Sequence, residues 1–173
     1  MNVLELFKPI TAFVFDVDGV LTDGSLLIMP GGVMARRMNI KDGYALQLAV
    51  KKGYHVVVIS GAYSQEVYDR MNYLGIKHIF MRVEDKRACL EGYIEQNGLT
   101  AAQVLFMGDD VPDIDVMQFA GLACCPADAA TEVKNIAHYI SPVNGGYGCA
   151  RDVIEKVLKL NGNWLNDKHV RAQ

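Results

Sequence analysis

Five short apolar runs recur along the chain with amphipathic stretches between them, and this alternation limits the possible folds more than any other feature. The runs are Thr11 to Phe15, His55 to Ser60, His78 to Met81, Val104 to Met107 and Leu122 to Cys125. They are continuous rather than alternating in polarity, the pattern of parallel strands buried on both faces. Helices are expected from near Asp42, Ser64, Glu84 and Pro112, with Gly53, Gly75, Gly98 and Gly121 at or just past their ends. The expected fold is therefore α/β, a Rossmann-like doubly wound parallel sheet with helices on both faces. In such sheets ligands bind beyond the carboxyl ends of the strands, so function is expected just after each run.

One segment interrupts the alternation. Ser25 to Ile40 carries Pro30, Gly31 and Gly32 between two extended arms and reads as a β-hairpin projecting from that same edge. The 173 residues suit one domain over the whole of 1–173, and the polar end Leu165 to Gln173 is expected to be a mobile tail. Hydrophobic residues at 51% exclude wholesale disorder, and a net charge of -3 offers no basic face for nucleic acid. No apolar run is long enough to span a bilayer, and the first residues lack the pattern of a secretory signal. Cys89, Cys124, Cys125 and Cys149 show neither CxxC spacing nor a nearby His cluster, so they read as thiols in a reducing cytoplasm. A small-molecule substrate is the expectation that remains.

Acidic residues collect where that substrate should bind. Asp16 and Asp18 follow the first strand at a spacing that lets both carboxylates reach one small volume, and Gly19 lets the backbone turn closely around a ligand. Asp109, Asp110 and Asp113 follow the fourth strand in Gly108 to Asp113. Carboxylates gathered at one edge repel unless a cation joins them, and a hard divalent ion, magnesium, suits oxygen ligands. Ser60 and Gly61 end the second strand with a hydroxyl and a backbone N–H that can bind phosphate oxygens, and Lys86 follows the third with a positive charge. Phosphoryl transfer needs this inventory, because it is largely positioning plus neutralisation of charge. Each element alone has a plainer reading: a turn or cap for the acidic pair, a helix N-terminus for the later acids, a surface lysine, a turn serine. Their order at successive strand ends is what sets them apart.

With these four motifs the sequence resembles the haloacid dehalogenase superfamily of phosphohydrolases, from about Thr11 through Asp113. The resemblance implies Asp16 as the nucleophile that forms an aspartyl-phosphate and Asp18 as the general acid and base. It implies magnesium held by the Asp16 and Asp109 side chains and the Asp18 carbonyl, with Asp110 and Asp113 orienting Lys86, metal-bound waters or the loop itself. No cap domain fits between Asp18 and Ser60 or between Lys86 and Asp109, which is similar to the cap-less branch, whose members form homotetramers through packed hairpins. Within that branch, Asp16 to Gly24, Asn39 to Ala49, Arg70, Lys86, Gly108 to Met117 and Gly145 to Leu158 resemble enzymes acting on phosphorylated 2-keto-3-deoxy sugar acids. That similarity implies an eight-carbon acid, with a nine-carbon acid as the alternative. It implies a sugar-acid pocket lined by Asn39, Ile40, Lys41, Asp42 and Gly43 with Arg70 approaching it. It also implies a Gly145 to Gly148 segment leading into a C-terminal helix.

Three positions depart from the family's pattern: Ala62 stands where arginine is usual, Gln47 where another arginine can occur and Tyr147 where arginine is frequent. An Arg fork binds carboxylate well, so the substrate is less constrained than the reaction. Arg36, Arg37 or Lys41 can replace a missing cation, although Arg36 and Arg37 read first as solvated surface charge. A phospho-accepting receiver domain also places an Asp on a doubly wound sheet, but its acidic pair comes early and its acceptor after the third strand. A catalytically silent scaffold fits poorly with four complete motifs.

Overall fold

The computed structural model describes residues 2–164 and Val170. The tail expected over Leu165 to Gln173 lies, Val170 apart, outside the described residues. A short helix absent from the sequence reading comes first: α1 (Val3–Phe7), capped by Asn2, whose side chain accepts from the Leu4 N–H and which delivers Phe7 to the core. The expected strands form as β1 (Ala12–Phe15), β4 (His55–Ile59), β5 (His78–Phe80), β6 (Val104–Met107) and β7 (Leu122–Cys125). A further two-residue strand, β8 (Tyr139–Ile140), joins the sheet after the short helix α6 (Thr131–Ile136). Both are too short to carry a readable period.

All six strands are parallel, in the order β5-β4-β1-β6-β7-β8. The helices are α2 (Ile40–Lys51), α3 (Gln65–Tyr73), α4 (Lys86–Asn97), α5 (Ile114–Phe119) and α7 (Cys149–Leu160). α2 starts earlier than expected because Asn39 caps it, while Ser64 and Asp85 cap α3 and α4. Strand residues alternate between two cores, as a pleat of period two requires. Phe13, Phe15, Val58 and Met107 pack in one core with α1, α2, α3 and α7, while Val14, Ile59 and Phe106 pack in the other with α4, α5 and α6. Fully burying such a side chain is worth roughly 1.5–3 kcal/mol.

The chain steps outward from β1 to β4 and β5, then returns to β6 and continues the opposite way. Helices α1, α2, α3 and α7 cover one face of the sheet and α4, α5 and α6 the other. The direction reverses between β1 and β6, where Phe15 pairs with Met107, so a crevice opens just beyond those two residues. Between Asp18 and Ser60 the chain adds only α2 and the hairpin, whose strands β2 (Leu27–Ile28) and β3 (Met34–Ala35) are antiparallel and shorter than the expected arms. No helix among the described residues is long and apolar enough to cross a membrane.

Candidate active site

The crevice beyond β1 and β6 is a cleft of about 340 Å³ lined by Asp16, Asp18, Ser60, Gly61, Lys86 and Asp109, among others. Main-chain pairing continues into its loops: the Asp16 N–H donates to the Met107 carbonyl and the Ser60 N–H to Phe80. After Asp18 the loop turns at Gly19, with φ +84°, and a Cβ there would lie 1.9 Å from Asp109 Oδ2. The turn therefore demands glycine twice over, for its dihedral and for its contact. A second glycine explains a segment whose purpose was not legible in the sequence. A Cβ on Gly145 would lie 1.8 Å from the Gly19 carbonyl, and the Gly146 N–H donates to the Val20 carbonyl at 2.9 Å. The Gly145 to Gly148 segment thus braces the loop that carries Asp16 and Asp18, besides leading into α7.

Lys86, on the first turn of α4, is buried and reaches two carboxylates: Asp113 Oδ1 at 2.6 Å and Asp16 Oδ1 at 3.0 Å. Burial pulls its ammonium down, but the charges and hydrogen bonds of Asp16 and Asp113 outweigh that and raise its pKa overall. Asp113 Oδ2 accepts the Asp109 N–H at 3.1 Å, so both oxygens of this buried acid are engaged. Asp110 lines the cleft and its Oδ1 accepts the Val111 N–H, shaping the loop. The Ser60 Oγ accepts the Ala62 N–H at 3.2 Å, which leaves the hydroxyl proton free to donate into the cleft.

Oxygens of Asp16, Asp109 and Asp113 lie within 4.8 Å of one another. Burial, then the Asp113 charge, pushes Asp16 up to about 6 against the pull of Lys86. Burial, then the charges of Asp16, Asp113 and Asp110, pushes Asp109 up to about 7. Three acids sharing one lysine are short of positive charge, and a divalent cation on hard oxygen ligands fits that deficit. Asp113 is spoken for by Lys86 and the loop, which leaves Asp16 and Asp109 as the side chains open to an ion.

Other expected residues lie elsewhere. Asn39, Ile40, Lys41, Asp42 and Gly43 do not line this cleft. Asn39 accepts the Lys41 N–H as the cap of α2, Ile40 and Lys41 face outward, and Gly43 lies beneath Arg70. Asp42 is buried and accepts the Arg151 N–H at 2.7 Å, tying α2 to α7. Arg70 lines a separate groove beside the hairpin. Gln47 is buried in α2, Ala62 lines the cleft and Tyr147 is exposed. Arg37 is exposed and pairs with Asp23, as surface charge would. Arg36 corrects the surface reading: its side chain is only 7% exposed, and its guanidinium forks onto Asp18, Nε to Oδ1 at 2.6 Å and Nη2 to Oδ2 at 3.3 Å. Position on the returning arm of a hairpin beside the loop of Asp16 and Asp18 was the one available signal.

A carboxylate pair, a hydroxyl and a lysine at successive ends of an uncapped doubly wound sheet define a class of phosphohydrolase. Residues 78–151 match the model of the haloacid dehalogenase-like hydrolases. The chain belongs to that family and is a phosphatase.

Over nearly its whole length it is similar to 3-deoxy-D-manno-octulosonate 8-phosphate phosphatases. The Escherichia coli K12 protein of that name, KdsC, is 30% identical across 93% of this chain and 86% of its own length. A probable YrbI family phosphatase from Pseudomonas syringae pv. phaseolica 1448a is 38% identical and superposes with a TM-score of 0.91, covering 94% of this chain and 92% of its own. The Moraxella catarrhalis 3-deoxy-D-manno-octulosonate 8-phosphate phosphatase, in complex with a magnesium ion, a phosphate ion and a KDO molecule, is 30% identical. It has a TM-score of 0.91 and covers 94% of both chains.

Proposed function

We propose that this phosphatase hydrolyses a phosphorylated 2-keto-3-deoxy sugar acid, 3-deoxy-D-manno-octulosonate 8-phosphate, through an aspartyl-phosphate on Asp16. The observation that carries the substrate is the full-length similarity to the Moraxella enzyme with KDO bound. The chemistry rests on the cleft. Asp16 is buried and pinned by Lys86, as a nucleophile needs for aim, whereas Asp18 stands at the rim, 35% exposed, where it can exchange protons with water.

In the first step an Asp16 carboxylate oxygen attacks phosphorus, the ester P–O bond breaks, and the protonated Asp18 gives its proton to the departing sugar oxygen. In the second, the Asp18 carboxylate takes a proton from water, the water oxygen attacks phosphorus, and the bond to Asp16 breaks to release phosphate. Lys86 neutralises the transferred oxygens, and the Ser60 hydroxyl with the Gly61 N–H binds them. A magnesium ion held by Asp16, Asp109 and the Asp18 carbonyl would supply further charge neutralisation to the phosphoryl group. Magnesium in the Moraxella structure and cobalt in the Haemophilus influenzae structure support a divalent ion here.

The same reading makes the enzyme a cytoplasmic homotetramer. Its support is the hairpin, where Leu27 and Ile28 are 66% and 77% exposed, and three buried, unpaired thiols. Phosphate release from the eight-carbon ester, the nine-carbon 9-phosphate and a panel of sugar phosphates tests the substrate. Preference for the eight-carbon ester is expected, and turnover of another sugar phosphate with neither acid hydrolysed contradicts it.

A further inference from the structure

The Arg36–Asp18 ion pair separates two cavities. On its Asp18 side is the phosphate cleft. On its Arg36 side is a mainly apolar groove of about 370 Å³ between the hairpin and α3, lined by Val33, Met34, Met38, Val67 and Arg70 among others. The Arg36 Nη1 also donates to the Met34 carbonyl at 3.1 Å, which fixes the guanidinium to the hairpin. With both carboxylate oxygens of Asp18 accepting from Arg36, its side chain is held against the hairpin.

The charge balance says what can separate the pair. The cleft is lined by Asp16, Asp18, Glu84, Asp109, Asp110 and Asp113, with Lys86 as its one lining cation among the described residues. Lys86 is already shared between two acids. A ligand that brings a carboxylate besides its phosphate needs a second cation, and a guanidinium fork receives a carboxylate as it receives Asp18. Resting on the sugar-acid reading above, we propose that Arg36 is a specificity-determining gate: it holds Asp18 in the free enzyme and passes to the substrate carboxylate on binding. The exchange releases the Asp18 side chain and joins cleft and groove into one site, phosphate at Asp16 and the acid end beside the hairpin. A sugar phosphate without a carboxylate has nothing to offer Arg36 and leaves Asp18 latched.

The test compares kcat/KM for 3-deoxy-D-manno-octulosonate 8-phosphate with that for glucose 6-phosphate, which lacks the carboxylate. In Arg36→Gln the acid-to-neutral ratio is expected to fall about tenfold or more, the scale of one charge-assisted contact. Arg36→Lys, which keeps the charge without the fork, should fall between. An unchanged ratio overturns the gate whatever happens to absolute rates, so a variant that merely disturbs the hairpin and slows both esters alike counts against it. A wild type blind to the carboxylate contradicts the sugar-acid reading itself, which separates the two failures. Calorimetry with KDO, the product without phosphate, checks the exchange directly. Asp18→Asn should bind it several-fold more tightly than wild type, because Arg36 has lost its competing anion. Equal or weaker binding overturns the exchange.

Discussion

Lys86 Nζ lies 2.6 Å from Asp113 Oδ1, a buried ion pair between the first turn of α4 and the loop before α5. It joins the third and fourth motifs across the crevice and leaves the second oxygen of Asp113 to hold the Asp109 N–H. Removing Asp113 leaves the buried Lys86 with Asp16 alone and the Asp109 N–H without its acceptor. Asp113→Ala should therefore cost about 2 kcal/mol in urea unfolding, the scale of lost partners in a buried hydrogen-bond network, and lower kcat about 100-fold or more by misplacing Lys86 and Asp109. Unfolding curves and initial rates on one preparation check both.

Asp42 gives a pH signature distant from the chemistry. Burial raises its carboxyl from 3.8 to about 6, against the hydrogen bonds of Arg151 and Gly148. A raised acid binds its proton more tightly folded than unfolded, so its penalty is absent below the unfolded value, grows from pH 3.8 to about 6, and is full above that. Asp42→Asn should gain on wild type by about 2 kcal/mol between pH 4 and pH 7. Chemical denaturation across that range checks the difference, which is independent of any constant offset between the two proteins.

Chelation should abolish turnover and added magnesium restore it. Because Asp16 and Asp109 sit at about 6 and about 7, their protonated forms compete with the ion, and affinity for magnesium should fall as pH drops from 8 to about 6. Titration calorimetry in buffers of different ionisation enthalpy should show protons released on binding at the lower pH. Asp109→Asn should weaken the ion at every pH.

Gly145 lies far along the chain from the Asp16–Asp18 loop yet comes against its backbone at Gly19. Gly145→Ala drives a methyl into the Gly19 carbonyl, and neither side is a flexible side chain that can swing away. Loss of about 2 kcal/mol or more is expected, together with lower activity, from a residue that does not line the cleft. Thermal unfolding and kcat measured together check this.

The sheet and the cleft at its edge were legible because continuous apolar runs are a strong signal and motif residues sit where strands end. Asp16, Asp18, Ser60, Lys86 and Asp109 all reach one cleft for that reason. Contacts between distant segments left no periodic trace. The bracing of Gly19 by Gly145, the role of Asp42 between α2 and α7, and the Arg36 fork each depend on which loops meet, which local pattern does not encode. The segment Asn39 to Gly43 reads as a pocket by resemblance, yet within this chain it caps and packs a helix.

The hairpin supplies a separate test of assembly. Ile28→Asp places a charge at the most exposed apolar position of the proposed subunit contact. Light scattering should find four copies for the wild type and smaller species for the variant. A wild type that is monomeric at all concentrations contradicts the proposed tetramer and leaves the cleft chemistry standing.

The central claim is a covalent phosphoryl intermediate on Asp16. Rapid quenching of the enzyme during turnover of the eight-carbon ester, followed by mass spectrometry of its peptides, tests it most directly. The account predicts a phosphoryl group on Asp16 in the wild type, with neither phosphoenzyme nor turnover in Asp16→Asn. Phosphorylation at another residue, or substantial turnover by Asp16→Asn, would contradict it.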